Sequence, residues 1–110
     1  MQGVFQVNAS MMRPTEDYIE RRGLGQMVRI TIKEQRGVCV ARHKVGDVFT
    51  YDGLKLPEGM CAAMWNVVYP IAKALAGGCE FSWMVDGKAK LACPDADNPV
   101  VFEITARGQR

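Results

Sequence analysis

Met60-Cys-Ala-Ala-Met-Trp-Asn-Val-Val-Tyr-Pro-Ile-Ala-Lys-Ala-Leu-Ala76 is the stretch on which the fold turns. Asn66 and Lys73 are its only strongly polar residues, and they fall on one narrow stripe of a helix. A helix that is apolar almost all round is one buried on most sides, so this stretch predicts a central helix covered by a sheet or by a second copy of the chain. Pro70 lacks a backbone N–H and predicts a kink or a break near Tyr69. Gly77-Gly78 ends the pattern. The polar interruptions leave the segment short of the roughly 20 apolar residues a membrane span requires, and no membrane partner is expected.

The sequence on either side reads as strands. Met27 to Gln35 alternates, with Val28, Ile30 and Ile32 on one face and Arg29, Thr31 and Lys33 on the other, the pattern of a half-buried strand. Val48-Phe-Thr-Tyr51 is a second short strand closed by Asp52-Gly53, and Pro57-Glu-Gly59 turns the chain into the helix. Cys79 to Cys93 reads as a hairpin with Asp86-Gly87 at its tip. A three-residue loop with Gly87 in the left-handed conformation would put Cys79, Phe81, Trp83, Ala89, Leu91 and Cys93 on one face, which a two-residue loop would not. Cys93 to Pro99 is turn chemistry, and its Asp95, Asp97 and Asn98 lack the glycine and distal glutamate of a calcium loop. Val100, Phe102 and Ile104 alternate inward along the last strand. Strands on both sides of a single apolar helix predict an α+β fold, with one long, Pro-interrupted central helix packed on an antiparallel sheet of about four or five strands.

Residues 1–26 read as a lead-in, and residues 27–110 as a single α+β domain. Val4, Phe5 and Val7 suit a short strand, and Thr15 to Arg22 suits two turns of helix, with a cap residue first, acids early and bases late. At 110 residues, with 48% apolar and 24% charged, the chain has the composition of an ordinary globular domain. A net charge of +2 with scattered bases gives no footprint for nucleic acid. Met1 to Asn8 has no charged leader followed by an apolar core, so the expectation is a cytoplasmic, reducing compartment and free cysteines. The apolar helix predicts a homo-oligomer or a protein partner.

Chemistry concentrates around Gly37-Val-Cys-Val-Ala-Arg-His-Lys-Val-Gly-Asp47, which holds the chain's only histidine four residues after a cysteine. In one extended strand Cys39 and His43 would stand about 13 Å apart, too far to share an ion or a proton. The glycines argue for a turn that folds them together. Cys39, His43, Cys61 and Cys93 are the donor types of a tetrahedral Cys3His site suited to zinc or iron, although their spacing lacks the paired knuckles of a zinc finger. The same residues admit a second chemistry. Cys61 opens the helix, where unpaired N–H groups and the macrodipole favour a thiolate, and His43 would be its base, oriented by Asp47 or Asp95. In a third reading Cys39 and Cys93 only pack, His43 is a loop residue, and the protein binds partners without catalysing anything.

From about Val28 to Ala106 the order of features resembles a family of small prokaryotic proteins of unknown function. The residues that carry this are Val28-Arg-Ile-Thr31, Cys39 with His43-Lys-Val-Gly-Asp47, Pro57-Glu-Gly-Met-Cys61, Gly77-Gly78, Cys93-Pro-Asp95 and Asn98-Pro-Val-Val-Phe-Glu-Ile104. The resemblance covers about three quarters of the chain, omits the lead-in and Cys79, and implies no particular activity.

Overall fold

A computed structural model describes residues 25–107. The strand expected around Val4 to Val7 and the helix expected over Thr15 to Arg22 lie outside these residues. Within them the elements run β1 (Met27–Gln35), β2 (Val48–Tyr51), α1 (Ala62–Ala76), β3 (Ala89–Ala92) and β4 (Val100–Arg107). The four strands form one antiparallel sheet in the order β2-β1-β4-β3, so the first and last strands pair at its centre.

Register follows the apolar faces. Ile30 stands opposite Ile104 and Ile32 opposite Phe102 across the central pair, Tyr51 opposite Val28 on one side, and Ala89 opposite Ile104 on the other. All seven are buried, and a one-residue slip of either central strand would turn its whole apolar set to water. Helix α1 lays Met64, Val68, Ala72 and Leu75 on this face, one residue per turn. Met64, Val68 and Leu75 each contribute about 1.5–3 kcal/mol by leaving water. Edge-on rings of Tyr51 and Trp65, 5.3 Å apart, join β2 to the helix.

Three expectations change. The helix is not buried on most sides: Ala62, Ala63, Asn66, Tyr69, Pro70 and Lys73 face water, and Lys73 Nζ donates to Gly53 O at 3.1 Å. Alanines and a proline made the stretch read as more hydrophobic than its outer face is. Helix α1 also continues past Pro70, so of the kink and the break expected there the break does not occur. Its end is a Schellman motif, in which Gly78 N donates to Leu75 O (3.0 Å) and Cys79 N to Ala74 O (2.9 Å), with Gly78 at φ 95°.

The third change is the hairpin. Residues 79–84 form no strand, and β3 takes β4 as its partner. Asp86 (φ 53°) and Gly87 (φ 74°) are both left-handed and make a two-residue turn inside a single Val85–Lys88 bridge. Gly87 is left-handed as expected, but the face shared by Cys79, Phe81 and Trp83 with β3 does not form. Phe81 and Trp83 instead stack on each other at 5.2 Å, with Trp83 half exposed. Among the described residues no helix is long and apolar enough to cross a membrane.

Candidate functional site

Three segments meet where α1 begins: the turn after β1, the helix start, and the loop from β3 to β4. The first is a double turn. Arg42 N donates to Cys39 O at 2.8 Å, and Arg42 lies at φ 65°, a conformation that costs a residue with a Cβ and therefore has to be held by its surroundings. The second turn closes by Asp47 N to Lys44 O and by Lys44 N to Asp47 Oδ2, both 3.0 Å. Between them His43 is carried inward. It is only 6% exposed, and its ring packs edge-on against Phe49 at 5.3 Å.

The imidazole has a definite task there. His43 Nε2 accepts the backbone N–H of Cys61 at 3.1 Å. An accepting ring nitrogen bears no proton, so the neutral ring carries its hydrogen on Nδ1. Cys61 is the N-cap of α1, with extended backbone at φ −72° and ψ 155°, and its Sγ accepts the N–H of Met64 at 3.4 Å. It fills the place that serine or aspartate usually takes, and no acidic residue lies in the first turn.

The third segment is closed in the same way. Cys93 N donates to Val100 O (2.9 Å), and Cys93 Sγ accepts from Val100 N (3.3 Å). Asp95 folds the loop by accepting from Asp97 N and Asn98 N, each 3.1 Å, and from Asn98 Nδ2 at 3.4 Å. Asn98 Oδ1 then takes the N–H of Val38 at 2.9 Å, tying this loop to the turn that holds Cys39. Gly37, at φ 71°, allows that approach, since a Cβ there would run into the Asn98 amide. Gln35, with its amide oriented to suit its neighbours, accepts from Cys39 N at 3.2 Å and donates to His43 O at 3.1 Å.

The result is a cleft of about 260 Å³ lined by Cys39, Cys61 and Cys93, all half-buried. Val40, Ala41 and Ala63 supply apolar walls, and Asp95 and Asn98 the polar edge. His43 is not part of the lining. Cys79 is exposed beyond the far end of α1, about 20 Å along the helix axis from Cys61.

Two parts of the expected chemistry are therefore absent from the geometry. Among the described residues no three His, Cys, Asp or Glu side chains are gathered to hold a metal ion, so Cys39, His43, Cys61 and Cys93 do not form a ready tetrahedral centre. The catalytic pairing of Cys61 with His43 takes another form: Nε2 is occupied by the Cys61 backbone rather than directed at its sulfur. The hydrogen bonds of Asp47 and Asp95 go to their own turns and not to the imidazole. In the sequence Gln35 marks only a strand end and Asn98 only a turn, and their long-range bonds have no signal there beyond the Asn-Pro pair. Comparison with protein-family models, curated proteins and solved structures finds no match to this chain.

Proposed function

We propose that this protein binds a soft metal ion through the thiolates of Cys39, Cys61 and Cys93, with His43 supporting the site through the Cys61 backbone and not as a fourth ligand. The observation that carries this is the convergence of three cysteines, from three segments remote in sequence, on one cleft. The donor set suits zinc or iron. Two of the sulfurs already accept backbone N–H bonds, which also stabilise a thiolate ligand. Cys39 lines the same cleft from the turn after β1, where its carbonyl accepts the N–H of Arg42.

Elemental analysis of protein purified without chelator, paired with thiol titration, tests the reading. About one zinc or iron per chain with only Cys79 reactive is the expected result. Protein that carries no metal, takes none up and titrates four thiols excludes it.

A second reading has its own support. Val38 and Val40 on the Cys39 turn are 73% and 88% exposed, an arrangement suited to a protein partner or second copy at this end rather than along the helix.

A further inference from the structure

We propose that two copies of this chain join through the free edge of β3, continuing the four-stranded sheet into one of eight strands about a two-fold axis. The proposal is independent of ion binding and uses a different surface from the helix face.

The alternation of backbone bonds fixes which groups are free. Cys93 N donates to Val100 O at 2.9 Å, so Cys93, Leu91 and Ala89 direct their N–H and C=O groups at Val100, Phe102 and Ile104 of β4. Lys88, Lys90 and Ala92 direct theirs away from β4. Lys88 agrees with this, since its N–H and C=O exchange bonds with Val85 on the outer side, at 2.9 and 3.1 Å. Lys90 and Ala92 have no strand beside them among the described residues, because β3 is the last strand of the sheet and residues 79–84 form none. Such an edge is a template for another strand. The β2 edge differs. From Gly53, which Lys73 Nζ bonds, the chain runs back along α1 to Cys61 with Gly53, Pro57 and Met60 buried, so that side is flanked by the chain itself.

The open run is short, bounded by Val85 at one end and at the other by Pro94, which has no N–H to give and lies at a bend. A second β3, equally short, fits it better than a longer foreign strand. A two-fold axis through the sheet pairs β3 with itself antiparallel and sets inner-face residues against inner-face residues. Centred on Lys90, it would oppose two lysines and need Lys88, whose bonds Val85 already takes. Centred on Ala92, it would set Lys90 against Pro94. Centred on Leu91, it pairs Lys90 with Ala92 of the second copy and Ala92 with its Lys90, so every outward N–H and C=O of the run is bonded and no like charges are opposed. Leu91 then meets Leu91 of the second copy in the closer, non-hydrogen-bonded pairing. Leu91, Val67 and Ile71 are all half-buried against the core. On α1, Val67 and Ile71 lie on the flank away from Trp65 and Tyr69, which meet Tyr51 of β2, and therefore toward β3. A second copy covers the apolar surface that this chain leaves to water along that side.

Analytical ultracentrifugation of the full chain under reductant tests this. At about 100 µM the expected mass is twice that of one chain, falling to a single chain on dilution. Ala92→Pro removes one outward N–H and no bond between β3 and β4, so it should give a monomer at the same concentration with an unchanged circular dichroism spectrum. Leu91→Cys, on mild oxidation, should form a disulfide between two copies through that position, identified by peptide mapping, whereas Lys90→Cys should not. The cross-link decides the matter if Ala92→Pro fails to fold. A single-chain mass at every concentration overturns the proposal, and so does a dimer that survives Ala92→Pro or gives no Leu91→Cys link. A monomer in which the Lys90 and Ala92 amides still exchange slowly would mean that another part of the same chain covers the edge, which overturns it too.

Discussion

Cys61 serves the helix and the cleft through the same sulfur, and two substitutions separate these roles. Serine keeps an N-cap acceptor for Met64 N, whereas alanine removes it at a cost of about 1 kcal/mol. Cys61→Ser should therefore melt near the parent and lose ion binding, and Cys61→Ala should lose both. Denaturant melts run beside a metal titration read this directly, and equal stability of the two variants would remove the sulfur from the cap. His43 is a sharper case. Truncation to alanine orphans the Cys61 N–H in a part-buried place, which costs about 1–3 kcal/mol. Faster hydrogen exchange at the Cys61 amide, beyond the general loss of stability, is the signature expected. The sequence marked His43 through its uniqueness and its turn, but assigned it to a metal or a proton. Which atom His43 faces is set by packing against Phe49 from β2 and by the positive φ of Arg42, and no residue pattern in this stretch specifies either.

At the scale of elements, the legible parts were those where one face is buried and the period is clean. β1, β2 and β4 were read with nearly their observed bounds because Val28, Ile30, Ile32, Phe102 and Ile104 leave only one register that covers them. The 79–93 segment failed because Phe81 and Trp83 have each other as a partner, so aromatic content there did not signal a strand. Its turn is nevertheless strict. With Asp86 and Gly87 both left-handed, Gly87→Val should destabilise by about 1 kcal/mol or more, and an unchanged Tm would mean the turn relaxes to another type. The Asp52 turn makes a pH prediction. The N–H groups of Lys55 and Leu54 bond its carboxylate at 3.1 and 2.8 Å and hold its pKa below the ordinary value. A lowered folded pKa contributes stability that is present above the unfolded value of about 3.9 and is lost as pH falls through the folded one. Asp52→Asn should flatten the acid limb of a stability–pH curve below about pH 4 and leave its shape near neutrality unchanged.

For the whole molecule, the three cysteines matter because they belong to parts of the chain that hydrogen bonds join only lightly. Val38 to Asn98 and Arg36 to Pro99 join the turn to the loop, and Cys61 to His43 joins the turn to the helix start, each bond worth about 0.5–1.5 kcal/mol net. An ion held by all three sulfurs would tie the β1 turn, the helix start and the β3–β4 loop together and would bind the folded state alone. At a hundred-fold excess over its Kd it would add about 2.7 kcal/mol. For a domain of this size each kcal/mol moves Tm by about 4–8 °C, so loading should raise Tm by roughly 10–20 °C. Calorimetry of stripped and loaded protein checks this, and a shift below about 2 °C at saturation would mean the ion binds folded and unfolded chain alike. Location adds a second demand. Protection from exchange should rise at the amides of Arg42, Cys61, Met64 and Val100, which close the three segments, as well as at sheet-centre amides such as Ile30 and Ile104 that exchange through global unfolding. An ion that binds the folded state alone raises the free energy of every opening that breaks its site, global unfolding included, so a rise in Tm with no gain in protection at the Cys61 and Val100 amides would place the ion away from the three cysteines.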